Sequence, residues 1–334
     1  MTTSLDIAKA ARVSPAVVSR IINQDASLRI TAQTRRRVER VIKAMDYAPN
    51  TCAQSLRRAR TGILALVVHD MTNPVYAEIL AGAQDAAASQ GKALLLGEAK
   101  DLNNGQSRIE SLIGGGGADG LILQGAGTAL DRALARAARR LMPTVLLQSG
   151  HARDTILMRM KDHQAGALAC RALLKLGHRR IGFLGVSPSL SFSDDRQKGW
   201  HEALTKAGES PTPLMTGIGG NTCAQGADGM KRLFMTQPDL TAVVVANVMA
   251  GIGALSYLHD QDIQAGRDFS VIAVHDSNLA AYVRPALSVV RMPLRALGRG
   301  AVDAVCGHDF HANTTITIPD APTVIARAST GPAR

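Results

Sequence analysis

Residues 4–23 constrain this chain more than any other stretch, because they read as two short helices joined by a tight turn. Ser4 can cap the first helix, whose apolar stripe falls at residues 7, 8 and 11. Ser14 can cap the second helix, with Pro15 at its first position, where the missing N–H costs nothing. A second apolar stripe follows at residues 17, 18, 21 and 22. The pattern predicts a helix-turn-helix.

The second helix turns a small polar surface outward. It exposes hydroxyl groups, an amide and a guanidinium, while its apolar stripe anchors it from behind. Such a helix is suited to reading base edges in the major groove of double-stranded DNA. The residues expected to contact DNA from this helix are Ser14, Pro15, Ala16, Ser19, Arg20 and Asn23.

Two further features of this region indicate a nucleic-acid partner. Thr31 can cap a third helix, over about residues 32–45, with apolar positions on one face. Residues 1–62 hold twelve Lys and Arg against four acidic residues, so they carry +8 of the net charge of +11. Basic charge concentrated on a candidate DNA-binding head is expected when the partner is a polyanion.

Beyond residue 62, short β-branched runs alternate with amphipathic helical stretches. Continuous apolar strands between helices indicate parallel sheets covered on both faces, and seven such units favour two lobes. The break is expected near Lys161 and Asp162, and the later runs 288–291 and 315–318 are expected in the first lobe or the crossovers. Because open parallel sheets bind ligands beyond the carboxyl ends of their strands, two lobes should enclose a cleft. The seven runs are 63–68, 93–96, 120–123, 144–147, 181–184, 242–246 and 271–274.

The amino-terminal region resembles the LacI/GalR family of bacterial transcription regulators. Residues 6–23 read D-I-A-K-A-A-R-V-S-P-A-V-V-S-R-I-I-N, residues 34–38 read T-R-R-R-V, and residues 47–56 read Y-A-P-N-T-C-A-Q-S-L. This ordered set is far more specific than a lone helix-turn-helix. The resemblance implies a hinge helix that forms on the operator and inserts a leucine into the minor groove. The DNA contacts that it adds are those of Thr3 in the head and of Asn50, Ala53 and Leu56 in the hinge.

The remaining chain is similar to the family's periplasmic-binding-protein-like core. Matching segments include N-P-V-Y at 73–76 and L-G-H-R-R-I at 176–181. The resemblance implies that an Arg at position 196, an Asn at 247 and an Asp at 276 grip a small effector. A planar guanidinium, an amide and a carboxylate suit the vicinal hydroxyls of a sugar. The expected effector-binding residues are Asn73, Tyr76, Gln124, Asp162, Phe192, Arg196, Asn247, His275 and Asp276.

Departures from the family pattern leave alternatives open. Arg12 stands at a turn position where the family usually has Gly, and a tolerated surface turn is favoured over an added phosphate contact. Val248 replaces a frequent Asp, and His275 stands before Asp276 where relatives often have an aromatic or apolar residue. These changes suggest a different, more acidic ligand, although His275 could also be a core residue. Asp162 either faces the cleft or caps a helix.

Other patterns exclude several classes of protein. The Gly run at 114–117 precedes a strand, whereas phosphate loops follow a strand and open a helix. The four cysteines show no C-x-x-C pair, and a metal at the H-x-x-H of 308–311 would need further ligands nearby, so neither disulfides nor a metal site is expected. The sequence has no nucleophile elbow or paired carboxylates, so we expect no enzyme and no cofactor. The absence of a long apolar run or signal peptide predicts a cytoplasmic protein with no membrane partner.

The predicted fold is a small all-α helix-turn-helix head with a hinge helix, followed by a two-lobed α/β core with parallel sheets. The expected domains are the head at 1–48, the hinge and linker at 49–62, and the effector-binding core at 63–334. Within the core, the first lobe takes about 63–161 and 291–320, and the second takes about 162–290 with the tail 321–334.

The predicted function is a ligand-responsive regulator, most simply a repressor, that binds a pseudo-palindromic operator as a homodimer. A small polar effector, a sugar or a sugar derivative, is expected in the cleft. The carboxyl-terminal tail has no leucine heptad, which predicts a dimer and no tail-driven tetramer. The alternatives are a sugar-binding transport component with the same core, a regulator with a nucleobase-like corepressor, and an α/β enzyme.

Overall fold

The computed structural model of this protein describes residues 2–22, 25, 27–47, 61–99, 115–125, 129–148, 154–187, 190–307 and 311–334. The chain divides into two compact units, Met1–Thr61 and Gly62–Arg334. Asn23 and the expected hinge contacts at Asn50, Ala53 and Leu56 lie outside the described residues. Across the described ranges, no helix is long and apolar enough to cross a membrane.

The first unit contains three helices that pack around a small apolar core. Ile7, Ala8 and Ala11 from the first helix, Val18 from the second and Val38 from the third are each at most 2% exposed. Apolar residues spaced three and four apart fall on one face of a helix, which is why these positions converge. The helices are α1 (Ser4–Ala11), α2 (Pro15–Ile22) and α3 (Ala32–Ala44).

The helix caps follow the sequence prediction at two of three sites. The hydroxyl oxygens of Ser14 and Thr31 accept a backbone N–H from the first turns of α2 and α3, at 3.4 and 3.2 Å. The prediction for Ser4 is wrong, because Ser4 is already helical and Thr3 is the N-cap of α1. Thr3 and Asp6 form a capping box in which each side chain accepts the other residue's backbone N–H.

The turn between α1 and α2 has a left-handed backbone at Arg12, with φ 50° and ψ 52°. This is the conformation that Gly adopts most readily, which matches the expectation for this turn position. The Arg12 N–H donates to the carbonyl oxygens of Ala8 and Lys9 and closes the helix end. The Arg12 side chain is exposed.

The first lobe of the second unit is built on a six-stranded sheet. Its strands are β1 (Ile63–Val68), β2 (Ala93–Glu98), β3 (Gly120–Gln124), β4 (Thr144–Leu147), β5 (Ile156–Arg159) and β11 (Thr315–Thr317). The order is β11-β5-β4-β3-β1-β2, and every pairing is parallel. Both faces are covered by helices, which explains the continuous apolar strands. The helices of this lobe are α4 (Val75–Ser89), α5 (Ala129–Ala138) and α11 (Leu294–Cys306).

The second lobe repeats this plan on another six-stranded sheet. Its strands are β6 (Ile181–Gly185), β7 (Thr216–Ile218), β8 (Ala242–Val245), β9 (Ser270–Val274), β10 (Ser288–Arg291) and β12 (Thr323–Ile325). The order is β12-β10-β9-β8-β6-β7, with β12 antiparallel to β10. Its helices are α6 (Asp162–Lys175), α7 (Ser191–Lys206), α8 (Cys223–Thr236), α9 (Val248–Asp260) and α10 (Asn278–Tyr282).

The described chain passes between the two lobes after β5, after β10 and after β11. The first and third passages are hydrogen-bonded to each other: Ile318 N–H donates to the Arg159 carbonyl at 2.8 Å, and Lys161 Nζ donates to the Pro319 carbonyl. The prediction that 288–291 belongs to the first lobe or a crossover is wrong, because β10 pairs with β9 and β12 inside the second sheet.

Three helix pairs, one in the first lobe and two in the second, cross at reciprocal glycines. At the crossing of α4 and α11, a Cβ on Gly298 would lie 1.9 Å from the Ile79 carbonyl oxygen, and one on Gly82 would lie 2.0 Å from the Arg295 carbonyl oxygen. Only a residue without a side chain permits this backbone approach. The other two pairs are Gly166 with Gly199, between α6 and α7, and Gly226 with Gly253, between α8 and α9.

Candidate functional site

A cavity that is open to solvent lies between the two lobes of the core, and the empty space at this site, solvent included, is about 580 Å³. Much of its polar lining comes from the carboxyl ends of strands in both sheets, where open parallel sheets bind their ligands. Gln124 and Gln148 lie at the ends of β3 and β4 in the first lobe, and Asn221, Asn247 and His275 follow β7, β8 and β9 in the second. Apolar side chains complete the wall: Val75, Ile79, Met160, Leu190, Phe192 and Leu294.

Arg196 on α7 lines the cavity with a side chain that is 0% exposed. Its Nε and Nη2 donate to one oxygen of Asp162 at 2.8 and 2.7 Å, and its Nη1 donates to the Ala246 carbonyl at 2.5 Å. Nη2 also lies 3.0 Å from Nε2 of His275. The guanidinium carbon sits 5.0 Å from the Phe192 ring centroid, in cation–π range. Of the five N–H groups of a guanidinium, these interactions leave one, on Nη1, for a ligand.

Asp162 is the first residue of α6 and does not line the cavity. It occupies neither expected position, since the N-cap is Lys161 and the carboxylate faces Arg196 instead of the cleft. Its second oxygen accepts from Gln148 Nε2 at 2.9 Å. Burial raises the pKa of Asp162, while the Arg196 guanidinium and the Gln148 amide act in the opposite direction. Asp162 therefore positions Arg196 and neutralises its charge.

His275 lies on the side of the Arg196 guanidinium away from Asp162, and its backbone is left-handed, with φ 72°. A guanidinium can only donate, so Nε2 of His275 is the acceptor for Arg196, and the neutral imidazole carries its proton on Nδ1. Nδ1 is buried and has no hydrogen-bond partner in the described part of the chain. Burial, together with the charge of Arg196, lowers the pKa of His275 well below the ordinary histidine value.

Asn247 lines the cavity, but it also holds the local structure together. It is the N-cap of α9, and its Oδ1 accepts the Ala250 N–H at 2.9 Å. Its Nδ2 donates to the Gly220 carbonyl and approaches Asn221 Oδ1 at 3.5 Å. Val248 is 0% exposed in the core, so the position after Asn247 offers the cavity no charged group. Any effector contact at Asn247 therefore shares an amide already engaged in capping.

The first lobe also contributes polar groups to the cavity wall. Tyr76 and Asn73 line the cavity at the start of α4, where Asn73 Oδ1 accepts the Val75 N–H at 3.1 Å. Burial raises the pKa of the Tyr76 hydroxyl above its ordinary value, and the nearby negative charges of Asp70 and Asp131 add to the shift. The neighbouring cavity residue Gln124, at the end of β3, is 8% exposed.

The candidate DNA-binding face is the amino-terminal half of α2. Ser14, Pro15 and Ala16 are exposed there. Arg20 lies on the same helix with its Nε 2.8 Å from Asp25 Oδ2 and its Nη2 2.7 Å from Ser27 Oγ. Hydrogen bonds from Ser27 and then from Arg20 hold the pKa of Asp25 at about 2. Two further candidates differ: Ser19 is half-buried, and Thr3 serves as the cap of α1.

Two family models match this chain. The model for bacterial regulatory proteins, lacI family, matches residues 3–50. The model for periplasmic binding proteins and sugar binding domain of LacI family matches residues 61–322, well over half of the chain. The chain belongs to the LacI family. Both the resemblance and the predicted fold class are thereby confirmed, and because the family consists of transcriptional regulators, the protein is a transcriptional regulator and not an enzyme.

Curated relatives support this placement over nearly the whole chain. The HTH-type transcriptional regulator GalR of Escherichia coli is 30% identical over 335 residues, 98% of this chain and 96% of the relative. The ribose operon repressor of Haemophilus influenzae is 28% identical over 338 residues, 98% of each. The HTH-type transcriptional repressor CytR of Escherichia coli is 27% identical over 304 residues, 90% of this chain and 87% of the relative.

Solved structures of the family show the same fold. The Lac repressor dimer bound to operator and the anti-inducer ONPF matches with a TM-score of 0.80 at 22% identity, over 99% of each chain. The complex of transcriptional regulator CelR with cellobiose matches with a TM-score of 0.71 at 24% identity, over 98% of this chain and 100% of that one. At these identities the likeness concerns the fold.

The expected effector contact of this LacI-family chain at Asp276 is not supported by the structure. Asp276 does not line the cavity; its two oxygens accept from Arg291 and Arg327, each at 2.8 Å. The physical reason is the left-handed backbone at His275, which places the imidazole against Arg196 and the next carboxylate against these two arginines. His275 therefore occupies the wall position expected for Asp276.

Sequence reasoning missed three polar residues of this cavity: His69, Gln148 and Asn221. Each follows a strand, so the rule that ligands bind at the carboxyl ends of strands could have identified them. The strand before Asn221 has only three residues, too few to be recognised as a strand from the sequence. Of the nine expected effector residues, the cavity brings together Asn73, Tyr76, Gln124, Phe192, Arg196, Asn247 and His275.

Proposed function

We propose that this LacI-family regulator is a repressor that binds a pseudo-palindromic operator as a homodimer and is switched by a small polar effector, a sugar or sugar derivative. The observation that carries the proposal is the cavity, in which polar side chains at strand ends of both lobes face about 580 Å³ of space. A ligand that touches both lobes can bind one of their arrangements more tightly and so shift their equilibrium. One relative represses a ribose operon and one structural neighbour holds cellobiose, which supports a sugar-like effector.

The DNA-binding half of the proposal rests on α2 and on charge. The helix and its capping residue expose Ser14, Pro15, Ala16 and Arg20, and residues 1–62 carry a formal charge of +8. The solved Lac repressor neighbour is a dimer on operator DNA, which supports the same assembly here. By family resemblance, the hinge residues Asn50, Ala53 and Leu56 would contact the operator centre. We place the protein in the cytoplasm because that is where a bacterial operator lies.

Arg20→Ala tests the DNA-binding face. The operator is first selected from genomic fragments with the full-length protein, and affinities are then measured on it and on random DNA. If Arg20 leaves Asp25 and Ser27 to read a base edge, its loss should cost about 1–3 kcal/mol on the operator and much less on random DNA. Arg40→Ala, which removes an exposed charge from α3, is the matched control and should weaken both complexes equally. If Arg20→Ala weakens binding to the operator and to random DNA equally, Arg20 contacts only phosphate.

A thermal-shift screen of sugars, polyols, sugar acids and nucleosides tests the effector half. Ligands that raise the melting temperature are then added to the operator complex. A ligand that weakens operator binding is an inducer, and one that strengthens it is a corepressor. If every bound ligand leaves operator affinity unchanged, the proposed switch is wrong.

A further inference from the structure

His275 lines the cavity and carries one buried polar atom that the protein leaves unsatisfied. Nδ1 of His275 has no partner in the described part of the chain, although the residue is only 7% exposed. A buried N–H without an acceptor is destabilising, so such atoms in a binding site indicate where a ligand completes the hydrogen bond. Because Nε2 already accepts from Arg196, this N–H can act only as a donor.

The orientation of this donor is held by a chain of hydrogen bonds that runs across the lobes. Gln148, from the first lobe, donates to Asp162, which accepts from Arg196, which donates to His275. Gln148 is itself held, since its Oε1 accepts the Met160 N–H at 2.7 Å. Each link fixes the donor or acceptor role of the next, so the imidazole cannot change tautomer without breaking the chain.

The charges around the cavity do not favour an anion. The charge of Arg196 is neutralised by Asp162 at 2.7 Å, so it is not available for a carboxylate or phosphate. Two further charges close enough to affect Tyr76, those of Asp70 and Asp131, are negative. Asp131 lies directly behind the cavity wall, since a Cβ on Gly125 would be 2.5 Å from its carboxyl carbon. The more acidic ligand suggested by the sequence is therefore not favoured by the structure.

We propose that the effector is an uncharged polar molecule that places a hydrogen-bond acceptor, a hydroxyl, carbonyl or ring oxygen or a ring nitrogen, on the Nδ1–H of His275. This inference rests on the proposed effector role of the cavity. His275 is then a specificity-determining residue: it selects an acceptor at the position where a carboxylate would select a hydroxyl donor. Phosphorylated and carboxylated versions of the same molecule bind more weakly, because the cavity residues that the structure describes include no unpaired cation to bind the added negative charge.

The first test needs no ligand. The full-length protein is labelled with ¹⁵N-histidine, and long-range ¹H–¹⁵N correlations identify the protonated nitrogen of each of its nine histidines. The spectrum of His275→Gln assigns the signal of His275. The expected result at pH 7 is a neutral ring protonated on Nδ1. A ring protonated on Nε2, or on both nitrogens, would overturn the proposal.

The second test uses uncharged molecules with their phosphorylated counterparts: D-glucose and D-glucose 6-phosphate, D-ribose and D-ribose 5-phosphate, uridine and uridine 5′-monophosphate. Isothermal calorimetry is expected to show binding of an uncharged member and at least tenfold weaker binding of its counterpart. Tighter binding of a phosphorylated member would contradict the proposal. If no pair binds, the tautomer measurement decides.

Two variants separate the two ring nitrogens. His275→Gln can keep an acceptor for Arg196 but has no donor at the Nδ1 position, whereas His275→Asn keeps that donor and loses the acceptor. The bound uncharged probe should lose affinity at least tenfold with His275→Gln and clearly less with His275→Asn. Thermal unfolding verifies that both variants fold, and wild-type affinity of His275→Gln would refute the assignment. If the probe binds as expected but leaves operator affinity unchanged, the regulatory function fails and this inference stands.

Discussion

The left-handed backbone conformation at Arg12 lowers the stability of the head at a single residue. A non-glycine residue in the left-handed region is less stable than Gly there by about 1–2 kcal/mol. Gly, however, loses more backbone entropy on folding, which offsets roughly 0.5–1 kcal/mol of this advantage. Arg12→Gly should therefore stabilise the head by about 0.5–1 kcal/mol in urea unfolding monitored by amide signals of α1 and α2. Destabilisation would mean that the Arg12 side chain has a stabilising role in the head.

The same variant distinguishes the two interpretations of Arg12 left open by the sequence. Removal of a side chain that binds a phosphate lowers the salt slope of DNA binding by about one. We expect no change in slope, because a tolerated surface turn does not require the guanidinium to meet DNA. A reduced slope would show that Arg12 binds the DNA backbone.

His275 gives the core a defined pH dependence. Burial and Arg196 lower its pKa in the folded state, whereas in the unfolded chain it titrates near 6.5. The unfolded state then binds the extra proton, so stability that is complete above pH 6.5 declines as the pH falls toward 5. His178, whose pKa burial also lowers, acts in the same direction. Urea unfolding at pH 7, 6 and 5 should show a shallower decline for His275→Asn than for the wild type, and an unchanged decline would remove His275 as its source.

For individual residues, the sequence predicted which types of side chain line the cavity but not what each of them contacts. Arg196 and Asn247 were expected to grip the effector, and the structure shows most of their hydrogen bonds directed to Asp162, Ala246 and Gly220. The choice between His275 and its neighbour depends on the sign of one φ angle. A linear pattern of residue types does not contain that sign.

Among the elements, the reciprocal glycines fix how closely paired helices approach. Gly298→Ala would place a Cβ 1.9 Å from a carbonyl oxygen of α4, so the two helices must separate, at a cost of about 1–3 kcal/mol or more. Gly300→Ala on the same helix is the matched control, since its Cβ would meet the flexible ends of Met158 and Ile318. Helix propensity favours Ala there by up to about 1 kcal/mol. Chemical denaturation should show a large loss of stability for the first variant and little change for the second; similar results for both would contradict the close crossing.

Sequence reasoning missed three strands, and two of them share a physical cause; the third, β5, lies between β4 and β11 and has only four residues. Strands β7 and β12 have three residues each and lie at sheet edges, where one side is unpaired and a long apolar run is not required. Strand β10 was recognised as a strand but assigned to the wrong sheet. The sheet that it joins is determined by its pairing with β9 and β12, not by its own residues. Central strands such as β1 were recognised at their observed bounds because burial on both faces demands continuous apolar residues.

Across the whole molecule, charge is divided unequally between the two units, and DNA binding should reflect it. Residues 1–62 carry +8 and the remainder +3, so operator binding should release many counterions. With six to ten phosphate contacts, affinity should fall about 10³–10⁵-fold between 50 and 200 mM salt, measured by fluorescence anisotropy. Binding of an uncharged effector should change little over that range. A shallow salt dependence of operator binding would show that the basic head does not face the backbone.

The three passages between the lobes reduce the ways in which the core can move. A single linker would permit twisting and sliding in any direction. Here the passages leave the β5 and β11 edge of one sheet and reach the β10 and β12 edge of the other, and two of them are bonded together near Arg159 and Ile318. We expect connections placed side by side to favour one rotation of the lobes, about an axis that runs through them. We therefore expect the proposed effector to change the angle of this rotation, and operator binding to respond to that angle.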